Sequence, residues 1–132
     1  MTARFEIYKC EVCGNMVEVL NANSGILTCC AQKMTHLQEN TTDAAVEKHV
    51  PVPYREENGA IKVSVGEVPH PMIEEHYIQW IEICVGNHVQ RKYLNPGDDP
   101  AAIFHNFEEN STKERPVFRE YCNLHGLWKS EG

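Results

Sequence analysis

Apolar residues in this chain recur mostly with a period of two, the pattern of strands with one buried face, and no convincing amphipathic helix interrupts them. From Val46 onward the pattern predicts strand after strand. Ile61, Val63 and Val65 alternate within Ala60 to Val65, Tyr77 to Val85 is rich in aromatic and β-branched residues, and His88 to Leu94, Ile103 to Phe107 and Pro116 to Cys122 follow. Turn chemistry separates these segments at Glu57-Asn58-Gly59, Gly86-Asn87 and Asn95-Pro96-Gly97-Asp98. Short strands at this spacing predict an antiparallel β-sandwich.

Residues 1–37 read differently, as a hairpin-rich module. Phe5 and Ile7 alternate ahead of Cys10-Glu11-Val12-Cys13-Gly14-Asn15; a short strand, Met16 to Leu20, leads through Asn21-Ala22-Asn23-Ser24-Gly25 to Ile26-Leu27-Thr28-Cys29-Cys30. So few residues need a staple to hold a fold. Residues 38–45 are polar and aperiodic, as expected of a linker, and the second domain then spans 46–132.

The chain has 132 residues, 42% of them hydrophobic, which suffices for one sandwich-sized core beside a small appendage and excludes a large multidomain enzyme. A formal charge of −7 without a basic run argues against a nucleic-acid or anionic-membrane partner. No segment approaches the length of a membrane span, and the first eight residues carry no apolar core of a signal peptide, so a cytoplasmic location is expected. In a reducing compartment, clustered cysteines more often hold metal than form disulfides.

Of the 6 cysteines, Cys10, Cys13, Cys29 and Cys30 form one group. The C-x2-C-Gly knuckle is a strong metal signal, because the glycine lets backbone N–H groups turn toward the sulfurs. Cys29 and Cys30 are adjacent, so they make no second knuckle and should strain a tetrahedral site. Zinc and iron both suit four thiolates.

A second set of donors centres on Tyr121-Cys122-Asn123-Leu124-His125-Gly126-Leu127-Trp128, where a thiol and an imidazole share one tight turn against aromatic residues. Among the 7 histidines, His49 sits ahead of Pro51 and Pro53 on a stiff, extended segment, His70 lies between Pro69 and Pro71, and His76 opens a strand. Rings fixed in this way lose less entropy on binding a metal. Four imidazoles and a thiolate exceed the usual three protein ligands of a catalytic zinc.

Taken together and in order, Cys10-x2-Cys13 with Cys29-Cys30, Glu47-Lys48-His49-Val50-Pro51, His70-Pro71-Met72, His76-Tyr77-Ile78-Gln79-Trp80 and Cys122-Asn123-Leu124-His125-Gly126-Leu127-Trp128 resemble the desulfoferrodoxins, two-iron superoxide reductases. The resemblance spans both domains, and no ligand position departs from the pattern. It implies an all-β protein with a desulforedoxin-like metal-binding module followed by an immunoglobulin-like sandwich. It implies one iron in four thiolates, at Cys10, Cys13, Cys29 and Cys30, and a second held by His49, His70, His76 and His125 in a plane with Cys122 as the axial thiolate.

The implied activity is one-electron reduction of superoxide to hydrogen peroxide without release of dioxygen. Lys48 is implied to attract superoxide and orient a proton-donating water, and Glu47 to ligate ferric iron once peroxide has left. A strict strand would point Glu47 and Lys48 to opposite faces, so both can serve the site only from a loop. A rubredoxin-like electron donor and a homodimer belong to the same expectation. His36, His88 and His105 match no ligand position, Cys84 reads as a small apolar strand residue, and the loop from Asn95 to Arg115 carries no motif. The competing readings are an electron-transfer protein with two closed metal centres and a zinc-stabilised binding module.

Overall fold

A computed structural model describes residues 1–41, 49–66, 69–105 and 115–132. The chain divides into two compact units, Met1–Gln38 and Glu39–Gly132. Both are built from strands, and no helix occurs among the described residues.

The first unit pairs β1 (Ile7–Lys9) with β2 (Met16–Glu18) on one side and β5 (Thr35–His36) on the other, all antiparallel. A separate hairpin joins β3 (Thr28–Cys29) to β4 (Gln32–Lys33). Its buried apolar residues are few: Ile7, Cys10, Val19 and Met34, while Val12, Leu20 and Ile26 stay exposed. A core this small supplies little hydrophobic stabilisation, so the tight turns carrying the cysteines must be held by something else.

In the second unit, β6 (Pro51–Arg55), β7 (Ile61–Val65) and β10 (Ala101–Phe104) form a sheet in the order β10-β7-β6. Facing residues come from β8 (Ile78–Val85), β9 (His88–Tyr93), β11 (Val117–Cys122) and β12 (Gly126–Glu131), ordered β12-β11-β8-β9. All these pairings are antiparallel, and the two sheets make the expected immunoglobulin-like sandwich. The inward residues of β7, Ile61, Val63 and Val65, meet Ile81, Ile83 and Val85 of β8, Phe104 of β10 and Phe118 of β11 in one buried cluster.

Pairing of β8 with β11 shifts register between Tyr121 and Cys122, so that Cys122 lies opposite Ile78. The bulge turns Ile78 into the core in place of the polar Gln79, and it ends the ladder at Cys122. Two strands lie outside the sequence expectation. β6 contains Pro51 and Pro53, which a sheet tolerates because β6 is an edge strand. β12 runs through the segment that reads as a ligand motif, and β10 begins at Ala101, ahead of the expected Ile103.

The outer face of the four-stranded sheet carries a buried charge network. Glu82 accepts hydrogen bonds from Arg119 and Arg91, and Arg119 also donates to Glu39 at 3.2 Å. Glu82 and Arg119 are almost fully buried, so each requires the other's charge; this desolvation-compensated pairing keeps the Arg119 guanidinium charged. Nearby, Asn40 forms a parallel bridge with Trp128 and thereby extends the β12 edge.

Candidate metal centres

The first donor cluster is made by two turns. Cys10 directly follows β1, and the knuckle it opens aims N–H groups at sulfur: Cys13 N–H donates to Cys10 Sγ and Asn15 N–H to Cys13 Sγ, both at 3.5 Å. Gly14 holds φ at 84°, a conformation costly for any residue with a Cβ. The adjacent pair is accommodated by the β3–β4 hairpin, whose two-residue turn is Cys30-Ala31 with φ of 53° and 60°. Positive φ at both positions is the type I′ turn that matches strand twist. It also rotates Cys30 away from ordinary strand alternation, which lets two consecutive thiols converge.

The sulfurs of Cys13 and Cys29 lie 3.6 Å apart, and those of Cys29 and Cys30 3.9 Å apart. Sulfurs about 2.3 Å from a tetrahedral metal would be about 3.8 Å apart, so the spacing fits a four-thiolate ion. Backbone N–H groups, Cys13 first, lower the Cys10 thiol to about 6. Sharing hydrogen bonds with Cys13, Cys29 and Cys10 pushes Cys30 up to about 12, and those with Cys13 and Cys10 raise Cys29. Without a cation the cluster therefore favours one thiolate and resists further deprotonation; a metal supplies the missing positive charge.

The second cluster draws on four segments of the sandwich unit. Candidate ligand atoms of His49, His70, His76, Cys122 and His125 all lie within 4.8 Å of one another. Adjacent imidazoles form a closed square: His49–His70, His70–His76 and His49–His125 have ring centroids 4.7 Å apart, and His76–His125 5.0 Å. Each pair meets edge to face, at 67° to 83°, so the rings are arranged like the blades of a propeller.

Neighbouring contacts decide which nitrogen faces inward. His70 Nδ1 lies 2.7 Å from the Pro71 carbonyl; because a carbonyl only accepts, Nδ1 carries the proton and Nε2 keeps its lone pair. His49 stacks on Trp128 at 4.8 Å and 16°, and the Trp128 indole N–H donates to the His125 carbonyl at 3.0 Å. His49 Nε2 and His125 Nδ1 are 3.1 Å apart. Two donors at right angles, each about 2.1 Å from one metal, would be about 3.0 Å apart, so this pair fits adjacent ligands of a single ion. Cys122 is fully buried, with Sγ 3.9 Å from His125 Nδ1, whereas His125 reaches the surface. The thiol, His49 and His70 are dry, while His76 is half-buried and His125 faces solvent.

The structure thus brings all nine cysteines and histidines singled out as ligands into two clusters. Glu47 and Lys48 lie outside the described residues. His36 stands apart from both clusters, stacked on Tyr8 and 3.5 Å from Glu6; His88 and His105 are exposed. Cys84 is on β8 as expected, but half-buried and outside the inter-sheet core. Asn123, whose side chain bonds across to the segment that bears His76, had no signal beyond its place within the ligand motif.

An all-β chain with a four-thiol turn cluster and a separate ring of four imidazoles and a thiol defines a non-haem metalloprotein with two different centres. Comparison with known proteins gives the family. The family model described as desulfoferrodoxin matches residues 41–131, and that of the desulfoferrodoxin N-terminal domain matches residues 2–37. This chain belongs to the desulfoferrodoxin family. It is 53% identical to a desulfoferrodoxin of Syntrophotalea carbinolica over 132 residues, covering 100% of both chains. It is 40% identical over 100 residues to a superoxide reductase of Pyrococcus horikoshii, covering 64% of this chain and 85% of that one. Among solved structures, the superoxide reductase from Treponema pallidum superposes with a TM-score of 0.75 at 26% identity, covering 95% of this chain and 96% of that one.

Proposed function

We propose that this chain is a superoxide reductase: superoxide takes up one electron and two protons and leaves as hydrogen peroxide, with no dioxygen formed. The observation that carries this reading is the closed square of four imidazoles with a buried thiol beside it. Relatives and neighbours named as superoxide reductases support it. In this reading Cys10, Cys13, Cys29 and Cys30 hold one iron, and His49, His70, His76, His125 and Cys122 hold the other. An iron ion held by these five side chains would supply the electron by passing from ferrous to ferric.

The remaining work falls to the chain. The imidazoles, fixed by Pro71 and Trp128, are set before the anion arrives, so little reorganisation opposes its binding. The buried Cys122 sulfur would hold the ion from a dry side and donate electron density to it. Lys48, next to His49 in sequence, draws superoxide in and orients a proton-donating water. Glu47, two residues before His49, would offer a carboxylate to the same ion.

The same reading assigns the site to a domain of residues 46–132, joined by 38–45 to the module of residues 1–37. It places the protein in the cytoplasm as a homodimer fed by a small rubredoxin-like donor. No helix of the described residues is long and apolar enough to cross a membrane, which is compatible with that location. Replacing Lys48 tests the steering role. Lys48→Ile should slow the second-order reaction with pulse-generated superoxide and flatten its dependence on ionic strength. An unchanged rate and salt slope would remove Lys48 from the mechanism.

A further inference from the structure

We propose that Asn123 is a positioning residue that holds His76 in the imidazole ring, an inference that rests on the metal-site reading above. The β8–β11 ladder ends at the bulge where Cys122 faces Ile78. Beyond it, Asn123 takes over the pairing with its backbone and its side chain together. Asn123 N–H donates to the Tyr77 carbonyl at 3.2 Å, Tyr77 N–H donates to Asn123 Oδ1 at 3.0 Å, and Asn123 Nδ2 donates to the Glu75 carbonyl at 3.0 Å. These bonds grip the backbone on both sides of His76.

The segment they grip is a tight reversal in which Ile73 and His76 exchange reciprocal backbone hydrogen bonds of 3.0 Å. Its His76 ring is edge-on to both His70 and His125. A reversal of this size has many conformations that would swing the ring outward, and ordering it costs entropy. Asn123, the residue after Cys122, ties this reversal directly to the thiol-bearing turn, so one donor-bearing segment indexes the other without help from a metal. The chemistry requires an amide: one end must accept from an N–H and the other must donate to a carbonyl. Aspartate would set a carboxylate oxygen against the Glu75 carbonyl, and serine offers only one oxygen.

Second-layer contacts of this kind typically control metal affinity by about 10- to 100-fold. Cobalt(II) titration of the whole chain reads the effect, the five-donor site being identified by the absorption band that Cys122→Ser removes. Asn123→Ala should weaken cobalt binding at that site by about 10-fold or more and shift its band, while Asn123→Asp, which retains the acceptor, should fall between. Combined with His76→Ala, Asn123→Ala should cause no further loss, because its effect passes through His76. Unchanged affinity and spectrum, or losses that add in the double variant, would overturn the proposal. Should Asn123→Ala fail to fold, Asn123→Asp enters the same cycle with the same criteria. A wild-type chain whose five-donor site takes no cobalt would overturn the metal-site reading and this inference with it, whereas a normal wild type and an unaffected Asn123→Ala would overturn the inference alone.

Discussion

Four thiols in Met1–Gln38 come from two tight turns over a handful of buried side chains, whereas the five donors in Glu39–Gly132 come from four separate segments of a sandwich with its own core. The first cluster spends conformational strain locally, at Cys30 and Ala31, and has little packing behind it. The second spends almost none of this kind. Its rings are fixed by an indole face on β12, a loop proline carbonyl and an asparagine clamp in the turn just past β11. One site makes its fold; the other is made by its fold.

Metal removal is the largest break in that comparison. Stripping the whole chain with a chelator under reducing conditions should abolish amide protection in residues 1–38, because the staple contributes on the order of 10 kcal/mol in small metal domains. Amides of β7, β8 and β11 should remain protected. Equal loss in both units would show that the sandwich, too, needs its ion.

A cavity in the sandwich core comes next in size. Phe118 is fully buried, and Phe118→Ala should destabilise the second unit by about 3–5 kcal/mol in denaturant titration. The four-thiolate absorption of the first unit should be unchanged in position and intensity. Loss of that absorption at the same denaturant concentration would mean that the two units unfold as one.

The smallest effect sharpens the account of the turn. Ala31 occupies the left-handed region without being glycine, so Ala31→Gly should stabilise the metal-loaded first unit by about 1 kcal/mol, seen as slower metal release to a chelator. Faster release would indicate that turn stiffness, not turn strain, dominates.

Legibility in the sequence follows the same division. The thiol cluster is readable because its donors fall in two short runs with a glycine where a positive φ is needed. The sandwich is readable because β7 alternates cleanly and β8 is rich in aromatic and β-branched residues. Sequence periodicity could not bring His49 to His125, which are 76 residues apart, and only the ordered set of motifs joined them. Glu82 looks like an ordinary outward strand charge; its burial depends on Arg119 and Arg91 arriving from two other strands. β6 was hidden by its prolines, whose missing N–H groups matter little on an edge. Asn123 was hidden because its partners become adjacent only when β11 pairs with β8.

The most direct test of the central claim is product stoichiometry. The iron-loaded, fully reduced protein is exposed to a limiting pulse of superoxide while peroxide, dioxygen and the oxidation state of the five-donor centre are followed together. The account predicts one peroxide per superoxide, one electron withdrawn from that centre and no dioxygen. Dioxygen released alongside peroxide with the centre left reduced, or no reaction with superoxide at all, would contradict it.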